Sequence, residues 1–236
     1  MTSIPQPPDP LLPPDTGAPR RRLKISDLVW LLVIAILLLA LLAPVFLRRP
    51  RGGDERTEAM NNMRSVGMML LEFDNEYGNL PSATTAIQVK SATSTPLTLG
   101  NTSSNQLFRQ LLAGGGGKSE KPFWAKTAIS PKKPDDVFHN DATAIAPGEC
   151  GFAYIAGLES SDDPDTPVLM APLLPGKLTF DPKPFAGKAV VLFLNNSATA
   201  LPIDKHGQVI LKNGLDLFDP RQPFWHGKAP DVKWPE

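Results

Sequence analysis

One cysteine, Cys150, in a chain of 236 residues excludes an intrachain disulfide, so no covalent framework shapes the fold or reports a redox compartment. Beside the strand-like run Gly151 to Ile155 it reads as a small, buried, inert side chain; an intermolecular bridge is the alternative. An excess of charge is missing too: 24 Lys and Arg balance 24 Asp and Glu, which leaves none of the broad positive field that nucleic-acid binding needs. Nucleic acid is not an expected partner. Beyond one stretch near the N-terminus no long apolar run appears, which argues against a polytopic protein and for one anchor with one folded unit. Histidine numbers only three, and His206 and His226 lie in turn-like contexts without a partner for a catalytic pair. Gly114 to Ser119 (GGGGKS) has the glycines and lysine of a phosphate loop, but Leu112 holds the place of the first glycine and no strand precedes it. It reads as a flexible loop, and no enzyme is expected.

Proline is abundant, at 26 residues, and seven of these fall in the first nineteen. Residues 1–24 read as a disordered, proline-rich head ending in a basic cluster, Arg20, Arg21, Arg22 and Lys24, suited to anionic lipid head groups. From Leu28 to Leu47 twenty residues carry no charge, which at about 1.5 Å per residue matches the roughly 30 Å hydrocarbon core of a bilayer. A transmembrane helix is expected over 25–47, with membrane lipid as partner. A cleaved signal is disfavoured because no small-x-small site precedes Arg48. Lys and Arg flank the run on both sides (Arg48, Arg49 and Arg51 behind it), so charge alone does not orient it.

After Gly52 and Gly53 the pattern becomes helical, with Asp54, Glu55 and Glu58 at the start and Gly78 at the end. Met60, Met63, Val66, Leu70, Phe73 and Tyr77 make one apolar stripe, a core face or, less commonly, an adaptable methionine-rich groove. A polar stretch runs to residue 105, then a short helix over Asn105 to Leu112, then lysine-rich, proline-broken loop from 118 to 148. Strands are expected at Gly151–Ile155, Pro167–Ala171, Ala189–Leu194, Ala198–Ile203 and Gln208–Leu211, the last three as a meander. Pro122-Phe123-Trp124 echoes Pro223-Phe224-Trp225, too briefly to make a repeat. Residues 54–236 thus read as a soluble domain. The fold class is α+β: an N-terminal transmembrane helix continuing into an amphipathic helix, packed on a small antiparallel sheet.

Met60 to Pro81 (MNNMRSVGMMLLEFDNEYGNLP) and Val190 to Ile203 (VVLFLNNSATALPI) resemble segments of the type IV pilin-like proteins, especially type II secretion pseudopilins. The first resembles their "N-x-R/K-x-I/V-G" helix start, the second their strand-turn-strand. Asp27 and Pro44, seventeen apart, fall where that family has the glutamate and proline of its assembly helix, while Arg22 stands at the cleavage glycine, so the N-terminus is expected to be retained. A first-turn Asp27 with Ser26 as N-cap is the simpler reading of that residue. The resemblance implies a pilin-like structural protein of the cell envelope, a component of a type II secretion or pilus-like assembly, with copies of itself or other pilin-like subunits as partners. It also implies an inner (cytoplasmic) membrane location with the C-terminal domain outside the cytoplasm. A non-assembling binding or regulatory domain is the alternative. Pseudopilins carry a calcium loop, which makes Asp162, Asp163 and Asp165, in the acidic run Glu159 to Asp165, the candidate Ca²⁺ ligands; a solvated acidic loop is the other reading, and no other cofactor is expected. Asp135, Asp136, His139 and Asp141 are a weaker metal candidate.

Overall fold

The computed structural model describes residues 25–47 and 53–236, and the chain divides into two compact units, Met1–Arg49 and Pro50–Glu236. The first contains helix α1 (Ile25–Leu47), whose described side chains from Val29 to Leu39 are all exposed. Among the described residues no helix is long and apolar enough to cross a membrane. This corrects the expected transmembrane helix running on into an amphipathic one. Helix α1, 23 residues long, lies in the first unit, and the next helix belongs to the second. The head 1–24 with its basic cluster, and Arg48, Arg49 and Arg51, lie outside the described residues, as do the side chains of Asp27 and Pro44, both positions of α1.

The second unit begins with α2 (Gly53–Tyr77), where Asp54 and Glu55 sit in the first turn against the positive end of the helix dipole. It ends where Gly78 takes φ +74 and donates its N–H to Asp74 O at 2.7 Å. Ala59, Met63, Val66, Leu70 and Phe73, three or four apart, are its buried stripe. Met60, Met69 and Tyr77 pack at the margin of that core, while Met68 points outward at 52% exposure.

The polar stretch after Pro81 contains a helix not expected there, α3 (Ala83–Thr93). Its β-branched, Thr-rich sequence has low helix propensity, and a capping box starts it: Ser82 accepts from Thr85 N, and Thr85 Oγ1 accepts from Ser82 N at 2.8 Å. Helix α4 (Ser104–Ala113), with Ser103 as N-cap, is buried along nearly its whole length.

Five antiparallel strands follow: β1 (Ala153–Ala156), β2 (Pro167–Ala171), β3 (Lys188–Phe193), β4 (Ala198–Pro202) and β5 (Asp231–Lys233), in the order β4-β3-β2-β1-β5. Side-chain alternation divides β3 between two cores: Val190 and Leu192 face the helices with Tyr154 and Ala171, while Ala189 and Val191 join Ile155, Met170, Phe180, Leu217 and Trp225. Both faces of the sheet are therefore covered, one by helices and the other by irregular chain from the 173–180 and 203–225 stretches. The expected third strand of the meander, Gln208–Leu211, is corrected: it makes only an isolated bridge, Ile210 to Asp216, and leaves β4 at the sheet edge. The opposite edge is β5, a three-residue strand from the C-terminus with no sequence signal.

Candidate functional site

The segment Met60 to Pro81 meets the rest of the unit through a line of polar contacts, each made by a residue with a chemical reason to be there. Asn62 Nδ2 donates to Trp124 O at 2.8 Å, holding α2 to the loop behind it. Arg64 Nη2 donates to Ala198 O at 3.3 Å, reaching the first residue of β4. Gly67 lies against the β3–β4 turn so closely that a Cβ there would stand 2.1 Å from Asn196 Oδ1 and 3.0 Å from Leu192 Cδ2. Only a residue without a side chain permits that approach. At the far end, Tyr154 Oη donates to Pro81 O at 3.1 Å, fixing the chain after the helix to β1.

The turn that α2 meets is equally determined. Asn196 sits in the left-handed region at φ +59, a conformation asparagine tolerates better than most residues. Its N–H donates to Phe193 O at 2.9 Å, and Ser197 N donates to Asn195 Oδ1 at 2.9 Å. Asn196 Oδ1 is buried without a hydrogen-bond partner. The start of α2 is held more weakly by the ion pairs Lys126 with Glu55 (3.3 Å) and Lys133 with Glu58 (3.6 Å). Lys133 Nζ also lies 4.5 Å from the Trp124 ring. As surface pairs these contribute on the order of 0–1 kcal/mol each.

The candidate calcium ligands stand on an exposed loop and are engaged locally. Asp162 Oδ2 accepts from Glu159 N at 2.8 Å, Asp163 Oδ1 from Asp165 N at 2.9 Å, and Asp165 Oδ1 from Asn195 Nδ2 at 3.3 Å. The residues of the second acidic candidate diverge. Asp135 caps Val137 N, Asp136 binds Ser119, Glu120 N and Lys121, and Asp141 accepts from Thr98 while facing Arg109 at 3.6 Å. Among the described residues no group of three or more His, Cys, Asp and Glu is placed to hold a metal ion. In the glycine-rich loop Gly114 caps α4, and Ser119 donates to Asp136. His206 lies in a turn closed on Asp204, and His226 follows a short 3₁₀ turn, Pro223–Trp225. Cys150 is fully buried between Ser104 Oγ (3.7 Å) and Phe152 O (3.6 Å), and burial pushes its thiol up to about 11.

The chain matches no family model, no curated protein and no solved structure. Asn62, Arg64, Gly67 and Pro81 are visible in the sequence as parts of a motif, but their partners are not, because Trp124, Ala198, Asn196 and Tyr154 are each separated from them by 62 residues or more.

Proposed function

We propose that this chain is a non-enzymatic, pilin-like structural protein of the cell envelope. It is held at the inner membrane by its apolar N-terminal segment, with the Pro50–Glu236 unit outside the cytoplasm and with copies of itself or other pilin-like subunits as partners. The observation that carries the reading is the strip Met60–Pro81, along which Asn62, Arg64, Gly67 and Pro81 each make a contact that seats α2 on loop or sheet. The exposed apolar side chains of Val29 to Leu39 support the membrane part, because such a surface needs cover from lipid or from other helices.

Assembly is tested with a lysine-reactive crosslinker on intact membranes. Adducts at multiples of the 25.5 kDa chain, or with a distinct small membrane protein, are expected. Monomer alone would favour a non-assembling binding domain. Topology is tested separately by placing a cysteine at exposed Ser161 in a Cys150→Ala background. A membrane-impermeant maleimide should label it once the outer layer is permeabilised, and labelling only after the inner membrane is broken would put the domain in the cytoplasm.

A further inference from the structure

Residues 141–149 fold as turns against α4, and at their centre Ile145 takes φ +45, a conformation in which a β-branched side chain is strained. Side chains from several directions hold the chain there. Arg109 donates from Nε to Ala144 O at 2.8 Å and from Nη2 to Asp141 O at 2.9 Å, and Asn105 Nδ2 donates to Ile145 O at 2.8 Å. Two carboxyl groups cap consecutive amides: Glu120 accepts from Ile145 N, and Glu149 Oε2 accepts from Ala146 N at 2.9 Å. The C-terminal residue closes the set, with Gly148 N donating to Glu236 O at 2.8 Å and Glu236 N to Asn105 Oδ1 at 3.0 Å.

Glu120 is the unusual member. It is 0% exposed, and its second oxygen, Oε2, has no hydrogen-bond partner. Its charged neighbours are of its own sign: Glu149, Asp135 and Asp136. The nearby cations are engaged elsewhere, Lys121 with Asp136 Oδ2 at 2.5 Å and Arg109 with the carbonyls above and Asp141, while Lys132 faces Glu149. A carboxylate in that position accepts more strongly from Ile145 N. That gain is outweighed by lost hydration and by three like charges.

We propose that Glu120 is the proton-operated catch of a clasp on residues 141–149: neutral Glu120 stays buried and caps Ile145, and the ionised side chain moves to water and releases the strained turn. Burial, the largest cause, pushes this carboxyl up to about 7, so the catch works across neutrality. Between the ordinary 4.5 and that value opening releases the proton, so the open form gains up to about tenfold in population per pH unit; above about 7 both forms are ionised and the gain levels off.

Hydrogen exchange of the full-length protein in detergent, corrected for intrinsic rates, tests this from about pH 6 to about pH 8, one unit either side of the catch's midpoint near 7. Protection over 141–149 is expected to fall by up to about tenfold while β2 and β3 keep theirs. Glu120→Gln, permanently neutral, should make that protection independent of pH, and Glu149→Gln, by removing one repelling charge, should move the midpoint downward in pH. Unchanging protection over 141–149 in the wild type overturns the proposal whether or not the variants fold. A pH dependence that survives in Glu120→Gln overturns it as well.

Discussion

A single methyl group placed at Gly67 probes whether the seam between α2 and the β3–β4 turn is as close as the geometry says. The added Cβ would stand 2.1 Å from Asn196 Oδ1 and 3.0 Å from Leu192 Cδ2, where ordinary carbon contacts are about 3.5–4.0 Å. Two effects oppose each other. Alanine in a helix interior is favoured over glycine by about 1 kcal/mol, whereas overpacking a fitted contact costs about 1–3 kcal/mol. Asn196 has little room to give, because its backbone is fixed at φ +59 by the bond from its N–H to Phe193 O. The overpacking term wins, and Gly67→Ala is expected to destabilise by about 1–2 kcal/mol, a fall in Tm of roughly 2–8 °C. In an Asn196→Gly background the obstructing amide is gone and the turn keeps a residue that favours positive φ. Only the flexible Leu192 methyl then stands in the way, and Gly67→Ala should become neutral or stabilising by up to about 1 kcal/mol. The cycle thus predicts a coupling of about 2 kcal/mol between the two positions. Urea unfolding of wild type, both single variants and the double variant measures it; additive effects would refute the close approach.

Three further outcomes follow from the same geometry. Stability should decline as pH rises from about 4.5 towards 7, because the folded state raises the Glu120 carboxyl from 4.5 to about 7 and holds a proton the unfolded chain has released; this contribution, about 3 kcal/mol, is complete below 4.5 and gone above 7, and urea midpoints of wild type against Glu120→Gln across that window measure it. Burial raises Glu149 in the same direction, whereas Asp136 and Asp141, held low by their hydrogen-bond partners, act only in acid, as pH falls below their ordinary 3.8. Cys150 should react with a thiol reagent only after denaturant is added, since it is fully buried with its thiol pushed up to about 11; rapid labelling of the native protein would contradict that burial. Asn62→Ala should cost about 1 kcal/mol by leaving Trp124 O without its donor, and an unchanged urea midpoint would show that water replaces the amide without loss.

Periodicity and turn chemistry made most of the second unit readable. The stripe Met63, Val66, Leu70 and Phe73 is the buried face of α2, and the expected strand over Pro167–Ala171 is β2 to the residue. The polar turn Leu194 to Ser197 joins β3 to β4 as its composition implied. Three elements escaped. Helix α3 depends on Ser82 and Thr85 capping each other, a Ser/Thr variant of a signal usually carried by Glu or Gln. Strand β5 is three residues whose only reason to be extended is the exposed edge of β1. Gln208–Leu211 has a strand's composition, but the segment turns back on itself, with Leu217 N donating to Val209 O at 2.9 Å, and never reaches the β4 edge.

What sequence reasoning can recover depends on how far apart the partners are. Pro122-Phe123-Trp124 and Pro223-Phe224-Trp225 look alike for a local reason: each contributes to a short 3₁₀ turn with proline near its start, where the lost N–H would go unsatisfied anyway. Each indole then donates to a carbonyl within eight residues, Trp124 Nε1 to Ser130 O at 3.1 Å and Trp225 Nε1 to Leu217 O at 2.7 Å. The echo is one solution to one local problem, used beneath the helices by Phe123 and on the opposite face of the sheet by Trp225. Gly67 and Asn196 solve theirs across 129 residues. Neither residue alone carries a sign of the other, since glycine in a helix is ordinarily a weakness and asparagine in a turn is ordinary. Only the docking of α2 on the sheet turns the two into complementary halves of one contact.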